Sequence, residues 1–236
     1  MCTLTWRHES EGYHLFFNRD ERKTRQPEEA PAIIEDHDLP LIAPKDGDHS
    51  GTWLAVNACG VTYALLNHYD LASQQPEPPQ PLSRGVLPLL LAGAKSPEDR
   101  PRDLQRFRPF HLVRVTPNGT AQHGIWDGDT WTSTDLTESD RPLTTSSFDS
   151  GRAVELRKQA FTGLGPSPEI DDLATYHRST SPHGSAYGVL MRRPDAQTMS
   201  ITHIHVTPKE VTVHYEPQPR DGEDVGESCA LRMARL

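Results

Sequence analysis

The pattern of apolar and polar positions predicts strands at the start of the chain. Residues 2–7 partly alternate small or polar residues with large apolar ones, and residues 13–18 form a second such segment after a turn signal at 9–12. Alternation with a period of two is typical of a strand that has one buried face. The two segments therefore predict an N-terminal β-hairpin.

A second hairpin is predicted at residues 52–57 and 61–67, where the apolar character is nearly continuous. Such runs indicate strands that are buried on both faces. The segments at residues 21–50 and 70–81 are polar and rich in proline, and we expect long loops there. A long loop in a compact domain often serves as a lid or a binding segment.

Helices are predicted in the middle of the chain, with strands between and after them. Helix signals cover residues 84–94, a start at 96–99, 149–161 and 168–177, and strand patterns cover residues 110–116, 120–126, 130–134, 142–146, 187–193, 198–206 and 210–215. Runs of strands followed by runs of helices indicate an α+β fold with antiparallel sheets. Because no repeat or linker divides the chain, we expect one domain over residues 1–236, with residues 217–236 as a peripheral tail.

The charge balance excludes two classes of partner. The chain has 24 Lys and Arg against 33 Asp and Glu, a net charge of −9, and no basic cluster. A general nucleic-acid-binding protein needs cations against phosphate, so no nucleic acid is expected. The longest apolar stretch, residues 86–94, is too short to cross a bilayer, and a secretory signal pattern is missing. We therefore expect no membrane span and a cytoplasmic location.

The three cysteines are Cys2, Cys59 and Cys229, and none of them forms a CxxC spacing, so neither a zinc ribbon nor a redox pair is predicted. Cys2 directly follows the initiator methionine. Removal of Met1 would give an N-terminal cysteine, whose thiolate is a nucleophile and whose α-amine, with a pKa of about 7.7–8.0, can act as the base. A cysteine at this position also occurs by chance, so this feature alone does not define a site.

Polar residues at two strand ends can support such a nucleophile. The segment Asn18, Arg19 and Asp20 ends the second predicted strand, and a hairpin brings it beside Cys2. A cation there lowers the pKa of a thiol and a carboxylate can hold an ammonium group, although a charged hairpin exit in solvent is the alternative. Asn67 ends the fourth predicted strand, where its amide can donate to a developing oxyanion or form a local turn bond.

Together these features resemble a known family. The similarity to the NRDE family, the Transport and Golgi organisation protein 2 homologues, is carried by the Met-Cys start, the Asn-Arg-Asp-Glu string at residues 18–21, the Gly-Thr-Trp-Leu-Ala-Val-Asn segment at 51–57, and the segments at 60–61 and 66–69. The resemblance is clearest over residues 1–70 and continues through residues 83–85, 143–147 and 187–193.

That family is similar in turn to the N-terminal-nucleophile hydrolases, especially penicillin V acylases and bile salt hydrolases. The resemblance implies an α+β fold, a four-layer αββα sandwich of two antiparallel sheets flanked by helices. It also implies that Cys2 is the nucleophile, that Arg19 lies close to the thiol, that Asp20 lies near the α-amine, and that Asn67 stabilises the oxyanion. A further asparagine of these hydrolases would fall near Thr145, and their late arginine would match one of Arg152, Arg157, Arg178 and Arg192.

The activity that this resemblance implies is hydrolysis of a non-peptide amide bond by an N-terminal cysteine. The residues expected to bind the substrate are Asn18, Trp53, His68, Tyr69 and Thr145. No cofactor is expected for this reaction, and the partner is a small-molecule amide.

The alternative is a non-catalytic carrier of a hydrophobic ligand such as haem or a lipid metabolite. For haem, Cys2 or His68 would be the candidate axial ligand. No metal site is expected, because His203 and His205 share one strand face but the pattern assigns no third ligand to them. The oligomeric state is not indicated by the sequence.

Overall fold

The computed structural model describes residues 2–72, 76–78, 80–96, 100–220 and 226–236. Residues 97–99 of the helix start expected at 96–99, and part of the loop expected at 70–81, lie outside the described residues. The strands are β1 (Cys2–Glu9), β2 (Gly12–Arg22), β3 (Glu29–Ile34), β4 (Leu41–Lys45), β5 (Leu54–Asn57), β6 (Thr62–Asn67), β7 (Phe110–Val115), β8 (Ala121–Trp126), β9 (Trp131–Leu136), β10 (Leu143–Thr145), β11 (Ala196–Val206), β12 (Glu210–Pro217) and β13 (Cys229–Ala234). The α-helices are α1 (Tyr69–Ala72), α2 (Val86–Gly93), α3 (Ser150–Thr162) and α4 (Ile170–His177), and 3-10 turns lie at Leu104–Arg106, Glu138–Asp140 and Ser185–Tyr187.

The described strands form two antiparallel sheets. The first sheet has the order β10-β1-β2-β11-β12-β13, and the second has the order β3-β4-β5-β6-β7-β8-β9. Both predicted hairpins are present, as β1–β2 and β5–β6. The apolar side chains of the two sheets meet in a shared core that includes Trp6, Tyr13, Phe17 and Val56.

Helices cover the outer face of each sheet, which confirms the four-layer αββα sandwich. The helix α2 packs on β4, β5 and β6 of the second sheet, while α3 and α4 pack on β10, β1 and β2 of the first. Pro88 lies in the first turn of α2, where its missing N–H removes no helical hydrogen bond. Glu169 and Asp172 form a capping box at the start of α4.

Three local expectations were wrong. The segment at residues 21–50, expected to be a loop, contains β3 and β4; β3 is an edge strand, a position that tolerates Pro31 because one side of the strand needs no partner. The strand expected at 187–193 is replaced by the 3-10 turn at Ser185–Tyr187 and irregular chain. The polar segment at 217–236 contributes β13, an edge strand paired with β12.

A buried polar network ties α4 to the first sheet. The Asn18 side chain donates to the carbonyls of His177 and Val189, at 2.9 Å each, and its Oδ1 lies 2.7 Å from His177 Nδ1. His177 Nε2 lies 2.8 Å from Thr5 Oγ1. Complete burial lowers the pKa of His177 to about 3, so the ring is neutral in the folded protein. A neutral ring with its proton on Nδ1 satisfies both contacts.

No helix among the described residues combines the length and the apolar character that crossing a membrane requires.

The low pKa of His177 makes stability depend on pH. The unfolded chain binds a proton near the ordinary pKa of 6.5, and the folded chain does so only near 3, so stability is fully present above 6.5 and is lost as pH falls through this window. His177→Gln should reduce the slope of unfolding free energy against pH by up to about 1.4 kcal/mol per pH unit. Urea denaturation followed by circular dichroism at several pH values between about 4 and 7 measures this slope.

The exposed His183 offers the matched control, since His183→Gln should leave the slope as it is in the parent protein. An unchanged slope in His177→Gln would contradict the assignment of a neutral buried ring.

Candidate functional site

The pairing of β1 with its two neighbours fixes the position of Cys2. Cys2 is paired with Arg19 of β2 on one side and with Thr145 of β10 on the other. Its side chain is 8% exposed and lies at the rim of the core between the sheets. A thiol in this position is held by the backbone of two strands, so its location does not depend on a flexible loop.

A cavity of about 440 Å³ opens beside Cys2. Six of the sequence-predicted residues contribute to its wall: Cys2, Arg19, Asp20, Trp53, Asn67 and Tyr69. They come from β1, β2, the segment before β5, the end of β6 and the start of α1. The rest of the described wall is largely polar and includes residues 81–85.

Arg19 is buried and its charge is already compensated. Its guanidinium lies 2.9 Å from Asp46 Oδ2 and 3.2 Å from Glu28 Oε2, and it stacks 4.3 Å from the ring centre of Trp53. Because two carboxylates share this cation, its capacity to stabilise a nearby thiolate is reduced. Burial raises the pKa of the Cys2 thiol to about 11, so the thiol is protonated at neutral pH in this environment.

Asp20 lies on the other side of β2 from Arg19 and is held by α3 and β11. Its Oδ1 accepts a hydrogen bond of 2.7 Å from the Thr198 hydroxyl, and its Oδ2 lies 3.2 Å from Arg157 Nη2. Burial raises the pKa of the Asp20 carboxyl, and the Arg157 guanidinium opposes that rise. The carboxyl therefore sits in a fixed geometry next to the cavity.

Arg157 is the arginine, of the four candidates, that reaches this group. It is 1% exposed, and its Nη1 also donates to the hydroxyls of Thr3, at 2.9 Å, and Thr144, at 3.1 Å. The other three lie elsewhere: Arg178 pairs with Glu216, Arg192 reaches the Pro219 carbonyl and Arg152 lies over Tyr187. The four arginines could not be distinguished from the sequence, because the packing of α3 on β10 is what selects Arg157.

Asn67 and Tyr69 form a hydrogen-bonded pair in the wall of the cavity. The Asn67 Nδ2 group donates to the Tyr69 hydroxyl at 3.0 Å. An amide nitrogen carries two N–H groups, so the second can donate to a ligand in the cavity. Burial raises the pKa of Tyr69, which keeps its hydroxyl protonated and able to donate.

Thr145 lies next to Cys2 across the strand pair but does not belong to the described wall of the cavity. Its hydroxyl is buried and makes no hydrogen bond with any described residue. The Trp53 indole N–H is in the same situation. Buried polar atoms in this state cost free energy unless a ligand or water meets them.

Besides Thr145, two further sequence-predicted residues are not brought to the cavity. Asn18 points to the helix side of the first sheet, where it binds the backbone of His177 and Val189. His68 stacks on His111, with ring centres 4.5 Å apart. Their roles in this fold are packing and hydrogen bonding outside the cavity.

Residues that the sequence did not single out complete the wall. Arg84 lies there with one Nη1 hydrogen bond of 2.9 Å to the Pro109 carbonyl, and burial lowers the pKa of its guanidinium. The backbone of Gly51 approaches that of Gly85 so closely that a Cβ at position 51 would lie 2.7 Å from a backbone carbon. This contact, with Thr52 N–H donating to the Gly85 carbonyl at 2.8 Å, joins the two segments of the wall. Gly51 and Gly85, in the segments 51–57 and 83–85 that carry the family resemblance, were the signal in the sequence for this contact.

The fold is that of the N-terminal-nucleophile hydrolases. Penicillin V acylase from Agrobacterium tumefaciens superposes with a TM-score of 0.51 at 14% identity, covering 92% of this chain and 83% of its own. A variant of conjugated bile acid hydrolase from Clostridium perfringens gives 0.55 at 11% identity, covering 97% and 92%. The Caenorhabditis elegans orthologue of N-acylethanolamine-hydrolysing acid amidase gives 0.54 at 9%, covering 86% and 92%.

Within this fold class the chain has a defined family. The family profile of Transport and Golgi organisation 2 matches residues 1–159, and the chain belongs to that family. No curated protein sequence matches the chain. The resemblance noted in the sequence, both to this family and to the fold of the acylases, is thereby confirmed.

The raised pKa of Cys2 predicts slow alkylation at neutral pH. In protein that retains Met1, with Cys59 and Cys229 changed to serine, the rate of reaction with iodoacetamide should rise about tenfold per pH unit until the pKa near 11 is approached. Intact mass measured over time at several pH values gives the rate. A plateau below about pH 8 would contradict a protonated, buried thiol.

Proposed function

We propose that this protein is an N-terminal cysteine nucleophile hydrolase that acts on a non-peptide amide bond. The observation that carries the proposal is that Cys2, Arg19, Asp20 and Asn67, which come from three separate segments of the sequence, border one cavity. The cavity supplies a nucleophile, an amide donor and buried charges around one space of about 440 Å³. A site for an acyl-transfer reaction needs this combination of groups.

The reaction begins with the free N-terminus. After removal of Met1, the α-amine of Cys2 accepts the thiol proton and the sulfur attacks the substrate carbonyl carbon. The resulting ammonium group gives its proton to the leaving amine as the C–N bond breaks, and a thioester remains on Cys2. Water then attacks the thioester while the amine takes a proton from it. The C–S bond breaks, the ammonium group returns that proton to the Cys2 sulfur, and the carboxylic acid leaves.

The surrounding side chains support each stage of this route. Asn67 Nδ2 stabilises the tetrahedral oxyanion with its second N–H. The Asp20 carboxyl, held by Arg157 and Thr198, lies close enough to Cys2 for its charge to raise the pKa of the thiol, and the same charge stabilises an ammonium group at that residue. Arg19 is paired with Cys2 across β1 and β2 and thereby positions it. The Trp53 ring stacks on the Arg19 guanidinium, and this ring forms a flat wall for the acyl group.

The charged side chains of the wall favour this proposal over a carrier of a purely apolar ligand. Glu21, Asp46, Arg84 and Arg108 all border the cavity. A purely apolar ligand would remove these charges from water without replacing their hydrogen bonds, which is costly. An amide substrate with polar groups forms hydrogen bonds with these charged side chains. A single domain and a cytoplasmic location stay predictions that accompany this proposal.

The free α-amine gives the sharpest test. The chain is expressed behind a leader that a protease removes to expose Cys2, and the cleaved and uncleaved proteins are compared. We expect that only the cleaved protein hydrolyses fluorogenic N-acyl aminocoumarins and forms an acyl adduct on Cys2, because only it carries the base. Product fluorescence and intact mass report the two steps.

Equal adduct formation by uncleaved protein would contradict the α-amine mechanism. A stable complex with haem, seen as a Soret shift that Cys2→Ala abolishes, together with no adduct in the cleaved protein, would favour the carrier instead.

Asn67 tests the oxyanion assignment. Asn67→Ala should lower kcat by about 10²–10³-fold, since one donor to the developing charge is lost. Cys2→Ala should abolish turnover. Cys59→Ala is the matched control for cysteine loss and should keep full activity, because Cys59 does not border the cavity. A change in KM alone in Asn67→Ala would mean that Asn67 binds the substrate equally in ground and transition states.

A further inference from the structure

A row of histidines crosses the first sheet on its helix side, away from the Cys2 cavity. His14 of β2 is paired with His205 of β11, and His203 of β11 is paired with His214 of β12. Glu9, at the end of β1, lies beside this row. His14 is five positions from Arg19 along β2, about 17 Å at the usual rise of a strand, so the row is separate from the proposed active site.

Three of these side chains present their ligand atoms to one point. His14 Nε2 lies 3.3 Å from Glu9 Oε1, and His205 Nε2 lies 3.9 Å from Glu9 Oε2. All three groups have ligand atoms within 4.8 Å of one another. Zinc bonds of about 2.0–2.1 Å imply ligand atoms about 3.3 Å apart in a tetrahedral site. The His14–Glu9 pair already has this spacing, and the His205–Glu9 pair must shorten from 3.9 Å when an ion binds.

The strand pairing fixes the backbone positions of the two histidine ligands, because His14 and His205 are directly opposed on β2 and β11. Their rings stack with centres 3.9 Å apart, and one ring must turn out of the stack for both Nε2 lone pairs to reach one ion, since a ring nitrogen binds a metal along the plane of its ring. The side chain of Glu9 is 48% exposed and that of His205 33%, so an ion can enter from solvent and keep water as a fourth ligand. Two histidines and one carboxylate with an open position are a familiar ligand set for zinc and for other divalent transition metals.

A second layer of contacts orients the central ligand. His14 Nδ1 lies 2.9 Å from His203 Nε2. A neutral His203 ring with its proton on Nδ1 can accept a hydrogen bond on Nε2. With its proton on Nδ1, His14 donates to His203 and turns the lone pair of Nε2 toward Glu9. Histidine ligands of metals commonly donate their other N–H in this way.

The nearest cation is held away from the site. Arg7 is paired with His14 across β1 and β2, but its guanidinium lies 2.8 Å from Glu169 and 2.7 Å from the Pro168 carbonyl, at the start of α4. Its charge is therefore engaged by a carboxylate that is not part of the ligand set. We propose that Glu9, His14 and His205 form a binding site for one divalent transition metal ion, with Zn²⁺ as the first choice.

Titration with Co²⁺ and Zn²⁺ tests the proposal. The protein is used without a histidine tag and with all three cysteines changed to serine, so that thiolates cannot bind the metal. We expect one equivalent of Co²⁺ to bind with visible d–d absorption of low-symmetry nitrogen and oxygen ligation, and Zn²⁺ to displace it. Glu9→Gln and His205→Asn should each weaken binding by at least about tenfold.

Two further variants separate a metal site from a hydrogen-bonded cluster. His203→Gln keeps an acceptor for His14 and should keep more of the affinity than His203→Phe, which should lose about tenfold or more. The exposed His183→Asn is the matched control and should bind as the parent does.

Because Glu9 and His205 are partly exposed, their variants are expected to fold, which circular dichroism and the midpoint of thermal unfolding check. Absence of stoichiometric binding, or binding that Glu9→Gln and His205→Asn leave unchanged, would overturn the proposal. In that case the contacts between Glu9, His14 and His205 are a hydrogen-bonded cluster only. Neither result depends on amide hydrolysis at Cys2.

Discussion

The antiparallel register of β1 with β2 is the constraint on which the candidate site depends. It sets Cys2 opposite Arg19 and sends the side chains of Arg19 and Asp20 to opposite faces of the first sheet. Since side chains alternate along a strand, a slip of one residue would exchange those faces. Arg19 would then lose Glu28 and Asp46, and Asp20 would lose Arg157. The ion pairs on both faces thus penalise a slip by one residue.

The penalty is large because the groups are buried. Asp20 and Arg157 are almost inaccessible to solvent, and separating such a pair leaves a charge without compensation in a poorly polarisable surrounding. The hydroxyls of Thr3, Thr144 and Thr198 add hydrogen bonds around the same pair. A network of this kind specifies geometry more than it adds stability, and geometry is what a nucleophile beside an amine requires.

The local parts of this arrangement could be predicted from the sequence, and the long-range parts could not. Alternation and turn signals predict β1, β2, β5 and β6, and the ends of β2 and β6 carry Asp20 and Asn67. The partners of Arg19 escaped prediction, because Glu28 and Asp46 flank β3 and β4 in a segment whose prolines resemble those of a loop. The face of the sheet on which the Asn18 side chain lies could be assigned only from the pairing of β2 with β1 and β11. His14 and Glu9 joined His205 only once β2 and β11 were known to pair.

The compensation of Arg19 also bears on how the thiol is activated. A free guanidinium beside a cysteine would stabilise the thiolate, yet here Glu28 and Asp46 take up that charge and burial raises the pKa of Cys2 to about 11. A thiol with so high a pKa is a poor nucleophile unless a base removes its proton during attack. Among the described wall residues, Asp20 has a pKa that burial raises, but its two carboxylate oxygens are engaged by Arg157 and Thr198. The α-amine that Cys2 gains when Met1 is removed has a pKa suited to that task. The same contacts that fix the position of Cys2 therefore make the reaction depend on a free α-amine at this residue.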